Sequence, residues 1–243
     1  MMELYNTFLY EPIYNLLIWL YTIIPGDNIG VAIIVLTLLI RAAFYPLQKK
    51  AIVSQKSLQD LQPKLEELKA KYKDNKEEMA QKVMALYKEH KINPASSCVP
   101  LLIQLPFLIA IYQVFRNGFD TANFDLLYPF VSRPDMIEPF FLGLDLSQPQ
   151  WILAILAAIA QFWQAKMLQA KRPPIQSKGA QDEAFATIMQ KQMTYVLPII
   201  TLWIGLRFPG GLTLYWFLTT LLTALQQLLI IGKDKNTKEV VKA

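Results

Sequence analysis

The chain has 243 residues, 53% hydrophobic and 18% charged, with a mean hydropathy of +0.27 and a formal net charge of +5. Soluble domains run nearer a quarter charged, and a single Cys and a single His exclude a disulfide framework, most zinc sites and most His-based catalysis. Charge is segregated, with Arg41 alone between Asn28 and Gln48 and no charge between Lys91 and Arg116, so the expected class is an all-α integral membrane protein.

In chain order, residues 1–27 read as an N-terminal interfacial helix on the extracytoplasmic side. Ile13–Ile24 has 12 residues behind Glu11-Pro12, which is short of a span, and its tyrosines and tryptophan suit the membrane interface. It has neither the basic start nor the small-residue cleavage site of a signal peptide. Residues 28–232 read as a core with five predicted spans, at 29–46, 98–115, 151–168, 193–206 and 212–231. The fourth apolar segment, Met193–Leu206, has 14 residues, about 21 Å against a hydrocarbon core of ~30 Å. It counts because the fifth follows at once, the two turning at Phe208-Pro209-Gly210-Gly211; its shortness predicts tilt or local thinning of the bilayer.

Between the first two spans, 48–92 reads as a cytoplasmic helical hairpin. Leu58, Leu61, Leu65, Leu68 and Tyr72 form one stripe, and Met79, Val83, Leu86 and Tyr87 a second. Lys73-Asp74-Asn75 makes the turn, and Asn75 with Glu78 fits a capping box. The stripes are narrow, so the hairpin is expected to be more mobile than the spans. Residues 48–92 hold 11 Lys/Arg, 166–191 hold 5 and the basic tail 233–243 holds 4, whereas 117–150 holds Arg133 against five acids. The positive-inside rule then puts the N-terminus outside and the C-terminus in the cytoplasm.

Arg41 is the principal candidate site residue. An arginine at a helix centre costs about 2.5–3.5 kcal/mol on the insertion scale, and no Asp or Glu lies in any predicted span to neutralise it. It either snorkels toward the inner surface, eight residues before Lys49, or faces a hydrated cavity. Thr37 lies one turn before it. Tyr215, Thr219, Thr223 and Gln226, interleaved with Trp216, Thr220 and Gln227, form a polar arc on the last helix. Gln161 and Gln164 share a face of the third span, Thr194, Pro198 and Thr201 a face of the fourth, and Gln104 sits within the second. These residues either bond helices to one another or line a shared hydrophilic groove. His90 reads as a solvated hairpin residue, Cys98 as a small packing residue, and Pro100, Pro106 and Pro198 as kinks.

Enzyme readings lack parts. No His lies in a span to serve a nucleophile, one His cannot make H-E-x-x-H, and in-membrane carboxylates for Mg²⁺ are missing. Five unequal spans without a repeat argue against a secondary transporter.

Several motifs together identify a family. The segments Leu61-Gln-Pro-Lys64, Met84-Ala-Leu-Tyr-Lys88, Asn93-Pro94 and Cys98-Val-Pro-Leu-Leu-Ile-Gln-Leu-Pro106 resemble those of the YidC/Oxa/Albino membrane insertases. So do Arg41 with Tyr45-Pro46, and Phe208-Pro209-Gly-Gly-Leu-Thr-Leu-Tyr215 with Gln226-Gln227. The resemblance runs from about Ile13 to Gly232.

That resemblance implies a five-span core enclosing a hydrophilic groove, open to cytoplasm and lipid and closed outside, that inserts and helps fold new membrane proteins. It implies that Arg41 and Thr37 face the groove and that Tyr215 and Trp216 meet the substrate's transmembrane segment. The implied location is the bacterial plasma membrane. Implied partners are nascent membrane proteins, the bilayer, the ribosome and the Sec translocon, with no cofactor and no nucleic-acid sequence recognition. The chain departs from many relatives in showing no large extracytoplasmic domain, leading anchor or lipoprotein signal, and in its brief tail of four lysines and two acids. Arg207 stands where an apolar or aromatic residue is usual. A pore or small-solute transporter lined by the same polar residues is the alternative reading, and a purely structural partner of the translocon a third.

Overall fold

The computed structural model describes residues 2–72, 75–90, 93, 99–117, 121–167 and 192–240. The hairpin turn at Lys73-Asp74, Cys98 and most of the basic stretch 166–191 lie outside the described residues, as do the side chains of Pro100 and Gln104.

The N-terminus is one helical run: α1 (Met2–Tyr5), a π-helical turn (Asn6–Tyr10) and α2 (Glu11–Ile23). Pro12 has no N–H to give the preceding turn, and the helix widens there. The same pairing recurs at Pro198, where a π-helical turn (Gln192–Val196) precedes α8 (Leu197–Gly205). Composition assigns Ile13–Ile24 to the membrane surface, but the structure buries Ile13, Tyr14, Leu17, Ile18, Leu20 and Tyr21 in the core. Leu4, Phe8, Trp19 and Ile23 remain exposed. Both sides of the helix are apolar, and periodicity alone does not say that one of them packs on protein.

After the turn at Gly26-Asp27, where φ is +92° and +43°, Asn28 caps α3 (Ile29–Ala43) by accepting the Val31 N–H at 3.1 Å. Pro46, in the first turn of α4 (Tyr45–Lys71), cannot donate to the end of α3, and the axis bends by 69° at Phe44. The Leu58 stripe therefore belongs to a 27-residue helix that starts at this elbow and runs through Pro63. Asn75 caps α5 (Lys76–Glu89) by accepting the Glu78 N–H at 3.1 Å. The reciprocal half of the expected capping box is missing, because the Asn75 N–H donates to Tyr72 O at 3.0 Å. α5 buries none of its residues.

α6 (Val99–Asn117) carries Pro106 inside it. The connection to α7 (Trp151–Met167) contains a 3₁₀ turn (Thr121–Leu126) and a two-stranded antiparallel ribbon that the all-α reading missed, β1 (Phe140–Phe141) and β2 (Leu144–Asp145). The ribbon turns at Leu142-Gly143, both at positive φ, and lies on the start of α3. A Cβ on Gly30 would come within 2.1 Å of the Phe141 ring, so only glycine allows that approach. The last helix, α9 (Gly210–Val240), packs against α7 and α3 and continues through the expected tail.

α7 puts most of its largest side chains outside and three alanines inside, together with Leu153 and Gln161. Trp151, Ile152, Ile155, Leu156, Ile159 and Trp163 are exposed, while Ala154, Ala157 and Ala160 are buried. Small residues let helices approach closely, and an apolar exterior of this kind suits lipid rather than water. Gly210–Ile230 is long and apolar enough to cross a membrane alone, and Ile29–Ala43 with Tyr45–Leu68 passes as a bent pair. Leu105–Arg116, Trp151–Met167 and Thr194–Gly205 are shorter apolar helices.

The main hydrophobic cluster sits at one end of the bundle. It joins Tyr10, α2, α3 as far as Leu36, α6 from Ala110 to Phe115, four residues of the α6–α7 connection, Leu153 of α7, and α9 as far as Tyr215. This is the loop end. Arg41 and the polar part of α9 occupy the other.

Candidate functional site

Arg41 lies in the last turn of α3, where a cation meets the negative end of the helix dipole. Its Nη1 donates to Gln48 Oε1 on α4, and its Nη2 donates to the Thr219 carbonyl and to Thr223 Oγ1 on α9. The cation thus ties three helices together at the elbow. Its partners among the described residues are all neutral, so among these residues its charge is solvated by dipoles rather than cancelled.

Polar atoms on Arg41 itself and about one turn beyond Thr223 on α9 are under-bonded. Arg41 Nε, Gln226 Nε2 and Gln227 Oε1 are buried and have no hydrogen-bond partner among the described residues. Gln226 and Gln227 follow Thr223 by one turn, so the three atoms lie along one stretch of bundle. Buried polar groups without partners are rare in native structures and mark places served by water or ligand.

The threonines behave differently. Thr37 donates to Ile33 O at 2.7 Å, Thr219 to Tyr215 O at 2.9 Å and Thr223 to Thr219 O at 2.7 Å. Each hydroxyl is satisfied within its own helix, which lets it sit among apolar neighbours at little cost. Thr37 and Thr219 are buried. Thr223 also takes the Arg41 bond, and the Thr219 carbonyl accepts from both.

The remaining site residues do not join this cluster. Thr201 Oγ1 donates to Gln161 Oε1, a buried bond that ties α8 to α7. Pro198 and Thr201 lie on the buried face of α8, and Thr194 is buried in the turn before it. Gln164 is half-buried on α7. Tyr215 is 1% exposed within the core, whereas Trp216 is half-buried. A substrate segment could therefore meet Trp216 in this conformation but not Tyr215.

Sequence reasoning missed three residues. Gln48 reaches Arg41 only because the chain bends between them. Asn15 is 2% exposed; its Nδ2 donates to Glu11 O at 2.9 Å and Leu126 O at 3.0 Å, and its Oδ1 accepts the Tyr128 N–H at 2.6 Å. Tyr21 Oη donates to Met136 O at 3.3 Å and accepts the Glu138 N–H at 3.0 Å. Together these two sew the N-terminal helix to the α6–α7 connection. The α8–α9 turn is fastened to the same connection, Gly210 N–H to Gln148 O and Gly211 N–H to Leu146 O, both at 2.9 Å. Arg207 of this turn stacks on Trp203 of α8, 4.4 Å from the ring centroid.

Comparisons with known proteins agree with one another. The family model described as "60Kd inner membrane protein" matches residues 19–238. The membrane protein insertase YidC of Fusobacterium nucleatum is 35% identical over 206 residues, covering 85% of this chain and 87% of that protein. Membrane protein insertase YidC 2 of Listeria innocua is 35% identical over 218 residues, 88% of this chain and 68% of that protein. The chain spans only 37% of the YidC of Vesicomyosocius okutanii, at 36% identity. A crystal structure of an active YidC insertase with its first transmembrane domain resolved superposes with a TM-score of 0.59 at 26% identity, over 91% of this chain and 46% of that one.

Proposed function

The chain belongs to the YidC family of bacterial membrane protein insertases, and from that premise we propose that it receives hydrophilic segments of incoming proteins in a wet, Arg41-centred groove. The observation that carries this reading is a cation whose partners among the described residues are all neutral, with its own Nε orphaned and two more orphaned polar atoms, Gln226 Nε2 and Gln227 Oε1, about one turn beyond its partner Thr223 on α9. A carboxylate of an incoming tail can replace Gln48 or Thr223 at the guanidinium, because it brings an opposite charge and accepts two parallel N–H bonds, which a neutral amide or hydroxyl does not. In a wet site the attraction is modest, about 1 to 4 kcal/mol at ~4 Å for effective dielectrics of ~80 to ~20. That biases entry without trapping the substrate. The apolar exterior of α7 and α8 then gives the hydrophobic segment a route into lipid.

In this reading five spans cross the membrane, with the N-terminus and the α6–α7 connection outside and the hairpin and C-terminus in the cytoplasm. Support comes from the charge asymmetry, 20 of 24 Lys/Arg in the three segments assigned to the cytoplasm, and from the bonded loop end, which suits a closed exterior. Nascent membrane proteins and lipid are the partners this requires; the ribosome and the Sec translocon are further partners consistent with it.

The test is reconstitution. Vesicles containing only this chain should insert a small single-span protein with an acidic N-terminal tail, measured by protease protection. Insertion no greater than in protein-free vesicles would overturn the reading.

A further inference from the structure

The elbow between α3 and α4 opens a second site. A cavity of about 500 Å³ lies along one face of α4, at Pro46, Lys49, Lys50, Val53, Ser54 and Ser57, and His90 at the end of α5 closes its far side. The spacing 46, 49, 50, 53, 54, 57 is a single helical face, so these side chains converge. Two ammonium groups, two hydroxyls and an imidazole line the cavity, and among the described residues no carboxylate does; Ser57 Oγ donates to Val53 O at 3.0 Å, so the lysines and the imidazole are the donors that face an anion. Lys64 Nζ lies 3.2 Å from His90 Nε2; with the lysine donating, the other ring nitrogen carries the hydrogen and is a further donor. This is a donor-rich pocket for an anion, and the Arg41 mechanism does not use it.

Its depth decides which anion. Because α4 leaves α3 at 69°, it advances only about 0.5 Å per residue along the α3 axis. Lys49 and Lys50 then lie about 3 Å beyond the end of α3, and Ser57 about 7 Å beyond it. If α3 spans the membrane, as proposed above, the cavity stands at headgroup level. Tyr45, Leu47 and Val53 are exposed beside the lysines, which suits acyl chains and not an aqueous polyanion. We infer that the elbow cavity binds the phosphate of an anionic phospholipid headgroup, Lys49 and Lys50 holding the charge and His90 adding a hydrogen bond. A lipid bound there would fix α4 on the membrane surface and so hold Gln48 against Arg41.

The full chain, purified in neutral detergent, should be offered phosphatidylglycerol, phosphatidylcholine, soluble glycerol phosphate and a short RNA, with bound species counted by native mass spectrometry. Phosphatidylglycerol should be retained in preference to phosphatidylcholine. A lysine near an anionic surface is worth about a factor of five, so Lys49→Gln with Lys50→Gln should cut that preference on the order of twentyfold. Lys71→Gln with Lys76→Gln, the same charge change at the hairpin tip, should leave it unchanged, and arginines at 49 and 50 should retain it. Equal preference in the elbow and tip variants, glycerol phosphate bound as tightly as lipid, or displacement of the lipid by RNA would each overturn the assignment. The inference rests on the proposed topology, so Ser57→Cys in a Cys98→Ser background should be labelled by an impermeant maleimide from the cytoplasmic face. Labelling only from the opposite face overturns the topology and the lipid placement together. Cytoplasmic labelling without lipid preference overturns the lipid site alone.

Discussion

The two ends of the bundle solve the same problem in opposite ways. At the loop end, Asn15, Tyr21, Gly210 and Gly211 give the irregular α6–α7 connection hydrogen bonds across elements, and the main hydrophobic cluster surrounds them. At the Arg41 end the cluster stops, and Arg41 Nε, Gln226 Nε2 and Gln227 Oε1 are buried without partners among the described residues. Buried irregular backbone is tolerated in membrane proteins only where its polar groups are satisfied or meet water. The first end satisfies its irregular backbone internally and is built to stay shut, although the Tyr14 hydroxyl in its cluster is buried without a partner among the described residues. The second leaves polar capacity unused, as a surface that must accept a changing hydrophilic guest requires.

Substitutions at the Arg41 end should change activity, and those at the loop end stability. The largest effect is expected from Arg41→Ala, which should lower insertion of substrates with acidic tails about fivefold or more while sparing neutral-tailed ones. An attraction of ~1–4 kcal/mol spans that range. Arg41→Lys should keep much of the activity, since a point cation still attracts a carboxylate; vesicle insertion assays varying tail charge measure all three. At the loop end, Asn15→Leu strands the Leu126 carbonyl and the Tyr128 N–H. At about 1–3 kcal/mol for each stranded group, thermal unfolding in detergent should shift clearly downward, with little change in the insertion rate of whatever remains folded.

A smaller effect sharpens the boundary between the two ends. Gln161→Leu leaves the buried Thr201 hydroxyl without its acceptor and should cost about 1–2 kcal/mol, whereas Gln161→Leu with Thr201→Val should restore most of it. If the double variant instead inserted as poorly as Arg41→Ala, the pair would belong to the groove and not to the α7–α8 contact. The smallest effect concerns Tyr14, whose hydroxyl has no partner among the described residues. Burial, and then the neighbouring Tyr10, push it up from its ordinary value near 10 to about 12, with Arg133 opposing. Folding therefore favours the neutral phenol, and its contribution is intact below pH 10 and lost as pH climbs from 10 toward 12. Tyr14→Phe should match wild type at pH 7 and lose stability less steeply over that alkaline window.

Arg41, Thr219 and Thr223 were legible because a lone cation and a run of hydroxyls at helical spacing stand out against apolar sequence. Gln48 was not, because it meets Arg41 across a 69° bend whose angle no periodicity encodes. Gln161 and Thr201 were legible as polar faces, but a helical face does not say which neighbour it meets, and here they meet each other. Asn15 is a single amide in a short apolar helix and becomes informative only when the connection more than 100 residues later folds onto it. The β1–β2 ribbon is only four paired residues, too short for alternation to show. Helices announced themselves; long-range bonds that close the loop end did not.

The contrast between the ends can be read along one helix. Single spin labels at Trp216, Thr219, Thr223 and Gln226 follow one side of α9 from the core toward the elbow, and a paramagnetic, water-soluble relaxer reports how wet each position is in lipid vesicles. Accessibility should rise along that series, with 216 near the level of a lipid-facing label at Ile155 and 226 clearly above it. A profile as dry at 223 and 226 as at 155 would contradict a hydrated pathway at Arg41.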